Sequence, residues 1–347
     1  MIYIGVDLHL RFCYMTVLDA TGSVIHQGTV SSQPEKLAAF FQHWKGLASK
    51  KKEEGGRVEV VVEACGFWRG FRHTVEPLVD RLVLVHPSKV KAIAAAALKN
   101  DKVDSAMLAH LLRTNLLPEA WQSDQATAAL REQMRLRVGL GRQRARWKNQ
   151  VHGALHQYGV RPPVSDLFGQ RGRAWLAQAE LTAGTRQVVN TCMNLIDMLS
   201  TQIAALDRQL AAQAKADPDV RCLMTIPGIG PCRGLLIKAE IGNIHRFPSK
   251  RQLFSYAGVV PGLRESAGKR RSGPITRAGS PLLRWALVGA AHNAPRTSPG
   301  ARAYFDRLAQ HKPRHKARVA LARKLLATVD ALWRHGVCFD EQVFAAM

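Results

Sequence analysis

Asp7, Glu63, Asp101 and Asp104 are the residues whose type and spacing suggest chemistry in this chain. Asp7 closes the apolar run Ile2-Tyr3-Ile4-Gly5-Val6, and Glu63 closes Val58-Glu59-Val60-Val61-Val62. Asp101 and Asp104 stand three apart where an apolar-periodic helix begins, so they share a helical face. A carboxylate ending a buried strand is costly unless its charge is offset. Several converging on one point suit a hard divalent cation, Mg²⁺ or Mn²⁺, which takes carboxylate and phosphate oxygens. Two such ions would stabilise the attacking and leaving oxygens of a phosphodiester. Taken singly, each acid has a plainer reading as a turn former or cap; Asp104 fits the N-cap of the helix carrying Met107, Leu108 and Leu111.

A hydroxyl is the second chemical candidate. Ser266 lies between Glu265 and the small pair Ala267-Gly268, in an expected loop beside Lys269, Arg270 and Arg271. A serine near neutral pH needs a base, a metal or strong electrostatic help to act as a nucleophile, and those cations would hold a scissile phosphate and its developing charge. Ser272 and Ser280 are close by, and the residues alone do not choose among the three. A solvated loop serine is the default for each.

The elements that must position the acids alternate in the first third. Residues 2–6, 12–18 and 23–30 read as strands, with Asp19-Ala20-Thr21-Gly22 as a turn. Residues 32–44 read as a helix with Leu37, Phe40, Phe41 and Trp44 on one face. Strand 58–62 follows a lysine- and glycine-rich loop at 50–56, then a helix over roughly 67–80 and a buried strand at 82–86 stopped by Pro87. Three hairpin-like strands, then helix, strand, helix, strand, helix, resemble an RNase H-like α/β fold. That resemblance implies that the first and fourth strands lie side by side, with Asp7 and Glu63 as neighbours.

The remainder reads as helical and very basic. The chain has 347 residues, with 50 Lys and Arg against 26 acids, a formal charge of +24. Residues 1–125 are nearly neutral at +2, which leaves +22 on residues 126–347. A near-neutral module with an acidic cluster, joined to a basic remainder, fits catalysis on a polyanion and argues against basic residues that merely solubilise helices. Residues 131–148 carry Arg131, Arg135, Arg137, Arg142, Arg144, Arg146 and Lys148 against Glu132, where a solvated face would mix signs. Pro162-Pro163 breaks this helix. Residues 185–213 place Val188, Cys192, Leu195, Leu199, Ile203, Leu206 and Leu210 at heptad-like steps, a seam within the chain, between protomers, or simply in one protomer's core. Thr225-Ile226-Pro227-Gly228-Ile229-Gly230 between two helical segments has the form of a helix-hairpin-helix, in which Gly228 and Gly230 permit a tight turn whose N–H groups face a phosphate. The stretch 261–284 holds six basic residues, Arg277 among them, against one acid, and 302–324 holds eight against Asp306 on a helix-competent background. Three domains are expected: 1–125, a helical, coiled-coil-like middle at 126–215, and a mostly α region at 216–347.

The six cysteines form no Cys-x-x-Cys pair, and Cys13 and Cys65 fall in apolar surroundings, so a reducing compartment without a zinc site is expected. No apolar stretch reaches 18 residues and the first ten carry no signal pattern, so neither a membrane nor a secreted protein is expected.

Ile4-Gly5-Val6-Asp7, Val62-Glu63-Ala64-Cys65-Gly66, Asn100-Asp101-Lys102-Val103-Asp104-Ser105-Ala106, Ile226-Pro227-Gly228-Ile229-Gly230 and Ala257-Gly258-Val259-Val260-Pro261 together resemble the DEDD transposases of bacterial insertion sequences. These are the bridge-RNA-guided serine recombinases, related to Piv invertases. The resemblance implies a RuvC-like domain using Asp7, Glu63, Asp101 and Asp104 for Mg²⁺, and a C-terminal transposase domain whose serine forms a phosphoserine link to DNA. The family's serine follows the Gly-x-x-Pro segment closely, which matches Ser266; Ser272 and Ser280 fall too far downstream. This chain departs where the family often has Ser-Gly, with Ser266-Ala267-Gly268, and where it often has Ala-Thr-Gly, with Ala64-Cys65-Gly66. The resemblance further implies homodimers or homotetramers, double-stranded donor and target DNA, a structured guide RNA, and a cytoplasmic, nucleoid-associated place in a bacterium. Arg135, Arg142, Arg146, Gly228, Gly230, Lys269, Arg270, Arg271 and Arg277 are the expected nucleic-acid contacts, because sequence-independent phosphate binding is what arginine and lysine stripes supply. Competing readings are a Holliday-junction resolvase with Ser266 as a bystander, a protein-only invertase, and a basic binding protein whose acids are structural.

Overall fold

The computed structural model describes residues 1–50, 56–93, 100–266 and 269–346; side chains at 88, 91, 92 and 263–272 lie outside the description. The lysine-rich stretch 51–55 and Ala267-Gly268 are therefore outside the described residues. The chain forms two compact units, Met1–Gln122 and Ser123–Met347.

The first unit is a mixed α/β sheet. Its elements run β1 (Ile2–Leu8), β2 (Phe12–Leu18), β3 (Val24–Ser31), α1 (Pro34–Lys50), β4 (Val58–Glu63), α2 (Trp68–Val75), β5 (Arg81–Val85), α3 (Pro87–Ile93) and α4 (Asp101–Arg113). The strand order is β3-β2-β1-β4-β5. β1 pairs antiparallel with β2 and parallel with β4, in a register from Ile2 opposite Val58 to Val6 opposite Val62. The first and fourth strands are thus adjacent, as the resemblance to an RNase H-like fold implies.

Apolar residues alternate to both faces of the sheet because both are covered. Ile4, Val6, Met15, Phe41, Trp44 and Phe71 form the core on one side. Val61, Val83, Leu108, Leu111 and Leu112 form the core beneath α4 on the other. The α4 backbone comes unusually near β1: a Cβ on Gly5 would lie 2.0 Å from the Ser105 carbonyl oxygen and 2.6 Å from the Ala109 nitrogen. The buried Ser105 hydroxyl is 2.7 Å from the Thr16 hydroxyl, to which Gln27 Nε2 also donates at 2.9 Å. These contacts fix how far α4 slides along the sheet, and hence where its first turn ends up.

The second unit is mostly helical. It contains α5 (Gln125–Gln157), α6 (Gln170–Gln178), α7 (Ala183–Ala216), α8 (Pro218–Met224), α9 (Pro231–Ile241), α10 (Lys250–Ala257), β6 (Pro261–Ser266), β7 (Lys269–Ile275), α11 (Pro281–Asn293), α12 (Pro299–His311), α13 (Arg314–His335) and α14 (Glu341–Ala346). The long pair α5 and α7 pack along one another. The α7 seam lies within the chain, and its register differs from the expected one. Val189, Cys192, Ile196, Leu199, Ile203 and Leu210 are buried, whereas Val188 is exposed and Leu195 and Leu206 are only half-buried. Both registers step by three and four, so spacing could not separate them; the partner face of α5 does. α5 also ends at Gln157, before Pro162-Pro163, with Gly159 in the left-handed region at φ 68°.

Two further expectations change. Residues 261–266 and 269–275, expected as a loop, pair as antiparallel strands with Ser266 opposite Lys269. The basic segment 302–324 is not one helix: α12 stops at His311 and Pro313 caps α13, because proline cannot donate in a helix interior. No helix among the described residues is long and apolar enough to cross a membrane.

Candidate active site

The acids of the first unit are set by strand ends and one helix start. Asp7 is the penultimate residue of β1 and Glu63 the last of β4; the register carries them to the same end of neighbouring strands. Asp101 and Asp104 occupy the first turn of α4. The N-cap of that helix is Asn100, whose side chain accepts from the Val103 N–H at 2.8 Å, so Asp104 is not the cap. Relieved of capping, both carboxylates are available to the sheet end.

A residue that the sequence does not single out completes the cluster. His9 Nε2 lies 3.4 Å from Asp7 Oδ2 and 3.2 Å from Asp101 Oδ2. The ring is 41% exposed, yet Nε2 itself is buried and makes no well-directed hydrogen bond. Phe12 supports the ring at 4.7 Å between centroids. One ligand atom each from Asp7, His9 and Asp101 lie within 4.8 Å of one another. Burial pushes the Asp7 carboxyl above its ordinary value; His9 opposes that rise, while the charges of Asp101 and Asp104 add to it. Asp104 therefore acts on Asp7 through its field. The Glu63 carboxylate stands outside the three-residue group and is held by contacts of its own. Such a cluster, negatively charged and partly dehydrated, attracts a cation. The only sequence signal for His9 was Asp7-Leu8-His9, two residues apart along an extended segment and so on one side of it.

Below the sheet end, the Cys13 thiol is pushed up to about 11 by burial, with Ser32 at 3.4 Å and the Asp7 charge nearby. It is a core residue there.

In the second unit, several arginines of the basic stripe at 131–148 have structural partners. Arg137 makes a two-pronged pair with Asp207 at 2.7 and 2.9 Å, Arg131 donates to the Ala239 carbonyl at 2.6 Å, and Arg144 reaches Ser200 at 3.3 Å. Arg135 is over half exposed but lies 3.4 Å from the buried Glu240. Arg142 and Arg146 are exposed, and no such contact is recorded for them among the described residues.

Glu240 was not anticipated as a centre of organisation. It is 3% exposed, and its carboxylate accepts from the Ser280 hydroxyl at 2.8 Å. Its carbonyl accepts from Tyr256 and Arg131. Ser280 also caps α11 by accepting from the Leu283 N–H at 3.1 Å, so this serine is a buried structural group, not a loop nucleophile. The side chains of Ser266, Lys269, Arg270, Arg271 and Ser272 lie outside the described residues. Arg277 is exposed with φ 53°, in the left-handed region.

The turn between α8 and α9 divides its two glycines. Gly228 has φ 83°, and a Cβ there would fall 2.4 Å from the Ala290 carbonyl, so it packs on α11. Gly230 is the N-cap of α9 and faces open space. A cleft of about 630 Å³ opens beside it, lined by Thr225, Pro227, Gly230, Arg233, Asn293 and Thr297.

Comparison with known proteins gives the following similarities. A family model of DEDD transposases of the IS110 type, described as "Transposase", matches residues 4–160. A second, described as "Transposase IS116/IS110/IS902 family", matches residues 220–306. The chain is 26% identical to the "probable family 20 transposase" of Pseudomonas aeruginosa, over 81% of this chain and 85% of that protein. It is 25% identical to the transposase for insertion sequence element IS1111A of Coxiella burnetii, over 79% and 77% respectively. It is 24% identical to the transposase for insertion sequence element IS1328 of Yersinia enterocolitica, over 81% and 85%.

Proposed function

We propose that the chain is a DEDD transposase of the IS116/IS110/IS902 family, whose models match residues 4–160 and 220–306, and that its first unit is a RuvC-like, RNase H-like nuclease acting on phosphodiesters. It is an insertion-sequence transposase, and so an enzyme that cuts DNA. The observation that carries the active-site reading is the convergence of Asp7, Asp101 and His9 within 4.8 Å at the end of β1.

Divalent-metal use follows from the family, and the donor set fits it: two carboxylate oxygens and one imidazole nitrogen, beside a carboxyl already strained by burial and by like charges. Asp7, Asp101 and Asp104, with Glu63 from the adjacent strand, would hold Mg²⁺ or Mn²⁺, which when bound polarises a phosphodiester oxygen and offsets charge in the transition state. His9 would keep the Asp7 and Asp101 carboxylates aimed at one point. Substituting Asp7→Asn or Asp104→Asn should abolish recombination and leave nucleic-acid binding intact. Recombination that survives both changes would make these acids structural.

For strand rejoining, Ser266 is the proposed nucleophile. Its place at the end of β6 supports this, with Lys269 opposite it and Arg270 opposite Glu265 in the pairing with β7. The serine oxygen would bond to phosphorus as the bond to the departing deoxyribose oxygen breaks, conserving a phosphodiester for the reverse step. A trapped protein–DNA adduct should vanish in Ser266→Ala; an adduct that persists unchanged would sink the serine assignment, and a wild type that traps no adduct would favour a resolvase that cuts with water alone.

The reading extends to partners. Exposed Arg142, Arg146 and Arg277, the α9 start at Gly230 as a helix-hairpin-helix, and the β7 residues Lys269, Arg270 and Arg271 would track phosphates of donor and target duplexes and of a guide RNA, in a homodimer or homotetramer. A discrete RNA copurifying with the protein supports the guided form, and its absence a protein-only invertase.

A further inference from the structure

One face of α11 carries a large aromatic side chain that stands half in solvent. Trp285 is 48% exposed, and no ring or cation contact is recorded for it among the described residues. It borders a groove of about 440 Å³ lined by Arg284, Trp285, Val288, Gly289, His292 and Arg318. Among the described residues, no carboxylate lines that groove. Positions 285, 288, 289 and 292 follow the three-and-four spacing of one helical face, and Arg318 is contributed by α13.

The cations of this groove are tethered from behind. Arg284 donates to the Ala257 carbonyl at 3.3 Å, and burial followed by the charge of Arg277 makes its guanidinium easier to deprotonate than usual. Arg318 leans over the Phe305 ring at 5.9 Å, and its Nε is buried without a hydrogen-bond partner. Arg233 fills the space above Gly289, 3.2 Å from where a Cβ would stand, and its Nε is likewise buried and unpartnered. The groove thus joins a half-exposed indole to the guanidinium groups of Arg284 and Arg318, whose charge an anion would offset.

We propose that this groove binds an unpaired nucleotide of a single strand, its base stacked on the Trp285 indole and its phosphates held by Arg284 and Arg318. A paired base inside a duplex has no free face to offer, whereas every unstacked base has one, and stacking of this kind tolerates any sequence. An aromatic face set between arginines therefore suits single strands, whether DNA exposed during strand exchange or a loop of RNA. The inference rests on the nucleic-acid reading above but concerns a different surface from the acids.

The test is equilibrium binding of end-labelled ten-nucleotide oligo-dT, oligo-rU and a ten-base-pair duplex to the full chain and to Trp285→Ala and Trp285→Phe. Trp285→Ala should weaken one or both single strands by about 5- to 150-fold, the equivalent of about 1–3 kcal/mol per stacked base, and change duplex binding less than twofold. Trp285→Phe should recover most of the loss, which a folding defect would not allow. Loss with oligo-dT assigns the groove to DNA, and loss with oligo-rU alone to RNA. Single strands bound equally by Trp285→Ala and the wild type would overturn the groove assignment and leave the DNA-cutting reading standing. A wild-type chain that bound none of the three oligonucleotides would sink both.

Discussion

Gly5 of β1 and Ser105 of α4 touch backbone to backbone, closely enough that a methyl group on Gly5 would sit 2.0 Å from the Ser105 carbonyl oxygen. Asp7 is two residues beyond Gly5 on its strand, and Asp104 and Asp101 are one and four residues before Ser105 on its helix. The contact that seats the helix therefore also sets the distance between the candidate catalytic carboxylates. Gly5→Ala must push α4 outward. It is expected to cost about 1–3 kcal/mol of stability, as overpacking does, and to weaken Mn²⁺ binding at the acids. Thermal unfolding and a Mn²⁺ titration measure the two effects; unchanged values for both would show that α4 has room to spare.

Asp7→Asn should make the metal-free protein more stable at neutral pH. The folded carboxyl is raised above its ordinary 3.8, so the folded state binds a proton more readily than the unfolded one. Ionised Asp7 is then a destabilising group, fully so above its folded value. The penalty shrinks as pH falls through that value and is gone below 3.8. Melting temperatures in EDTA should differ at pH 7 and coincide at the acid end of the range. Adding Mn²⁺ should raise the melting point of the wild type only.

Arg142 and Arg146 should carry salt-dependent duplex binding that Arg137 does not. Removing both exposed arginines should reduce the slope of log affinity against log salt by about 2, since each phosphate left without its arginine removes about 0.9. Arg137→Ala breaks the pair with Asp207 and should lower the melting temperature with little effect on the slope. A slope unchanged in the Arg142 and Arg146 double variant would remove this face of α5 from the interface.

Ser280→Ala should behave as a stability variant. It deprives α11 of its cap and leaves the buried Glu240 carboxylate short of a donor, a loss of about 1–3 kcal/mol. Any covalent protein–DNA adduct should persist in it. Adduct loss in a folded Ser280→Ala protein would reopen the choice of serine.

Much of this was legible in the sequence where burial and spacing act together. Strand-end acids at Asp7 and Glu63 stand out because long β-branched runs precede them, whereas the pairing of β1 with β4 was expected only through the resemblance to a known fold, since periodicity does not say which strands are neighbours. His9 was not legible, since a lone histidine after a strand looks like any surface residue until α4 brings Asp101 to it. Ser280 and Glu240 are 40 residues apart, and nothing local in either announces the other. Arg131, Arg137 and Arg144 read as a phosphate-tracking stripe because sequence counts charges but does not reveal which are matched across α7 and α9. The α7 seam was missed by one residue at Val188 and Leu195 because two neighbouring apolar rows have the same period. The pairing of 261–266 with 269–275 was hidden by the glycine, proline and arginine content, which favours loops; only cross-strand pairing makes it a ribbon.

The 33 residues of α5, laid beside the 34 of α7, have one more implication. At about 1.5 Å per residue, α5 extends roughly 50 Å, the length of about fifteen stacked base pairs at 3.4 Å each. Its far end is closed by a small cluster of its own around Val151, Leu155, Leu176 and Ile196. A paired rod with a firm tip works as a yardstick. A group held at that tip would stand about 50 Å from one at the root, and adding one heptad to both helices would lengthen the interval by about 10 Å, or about three base steps.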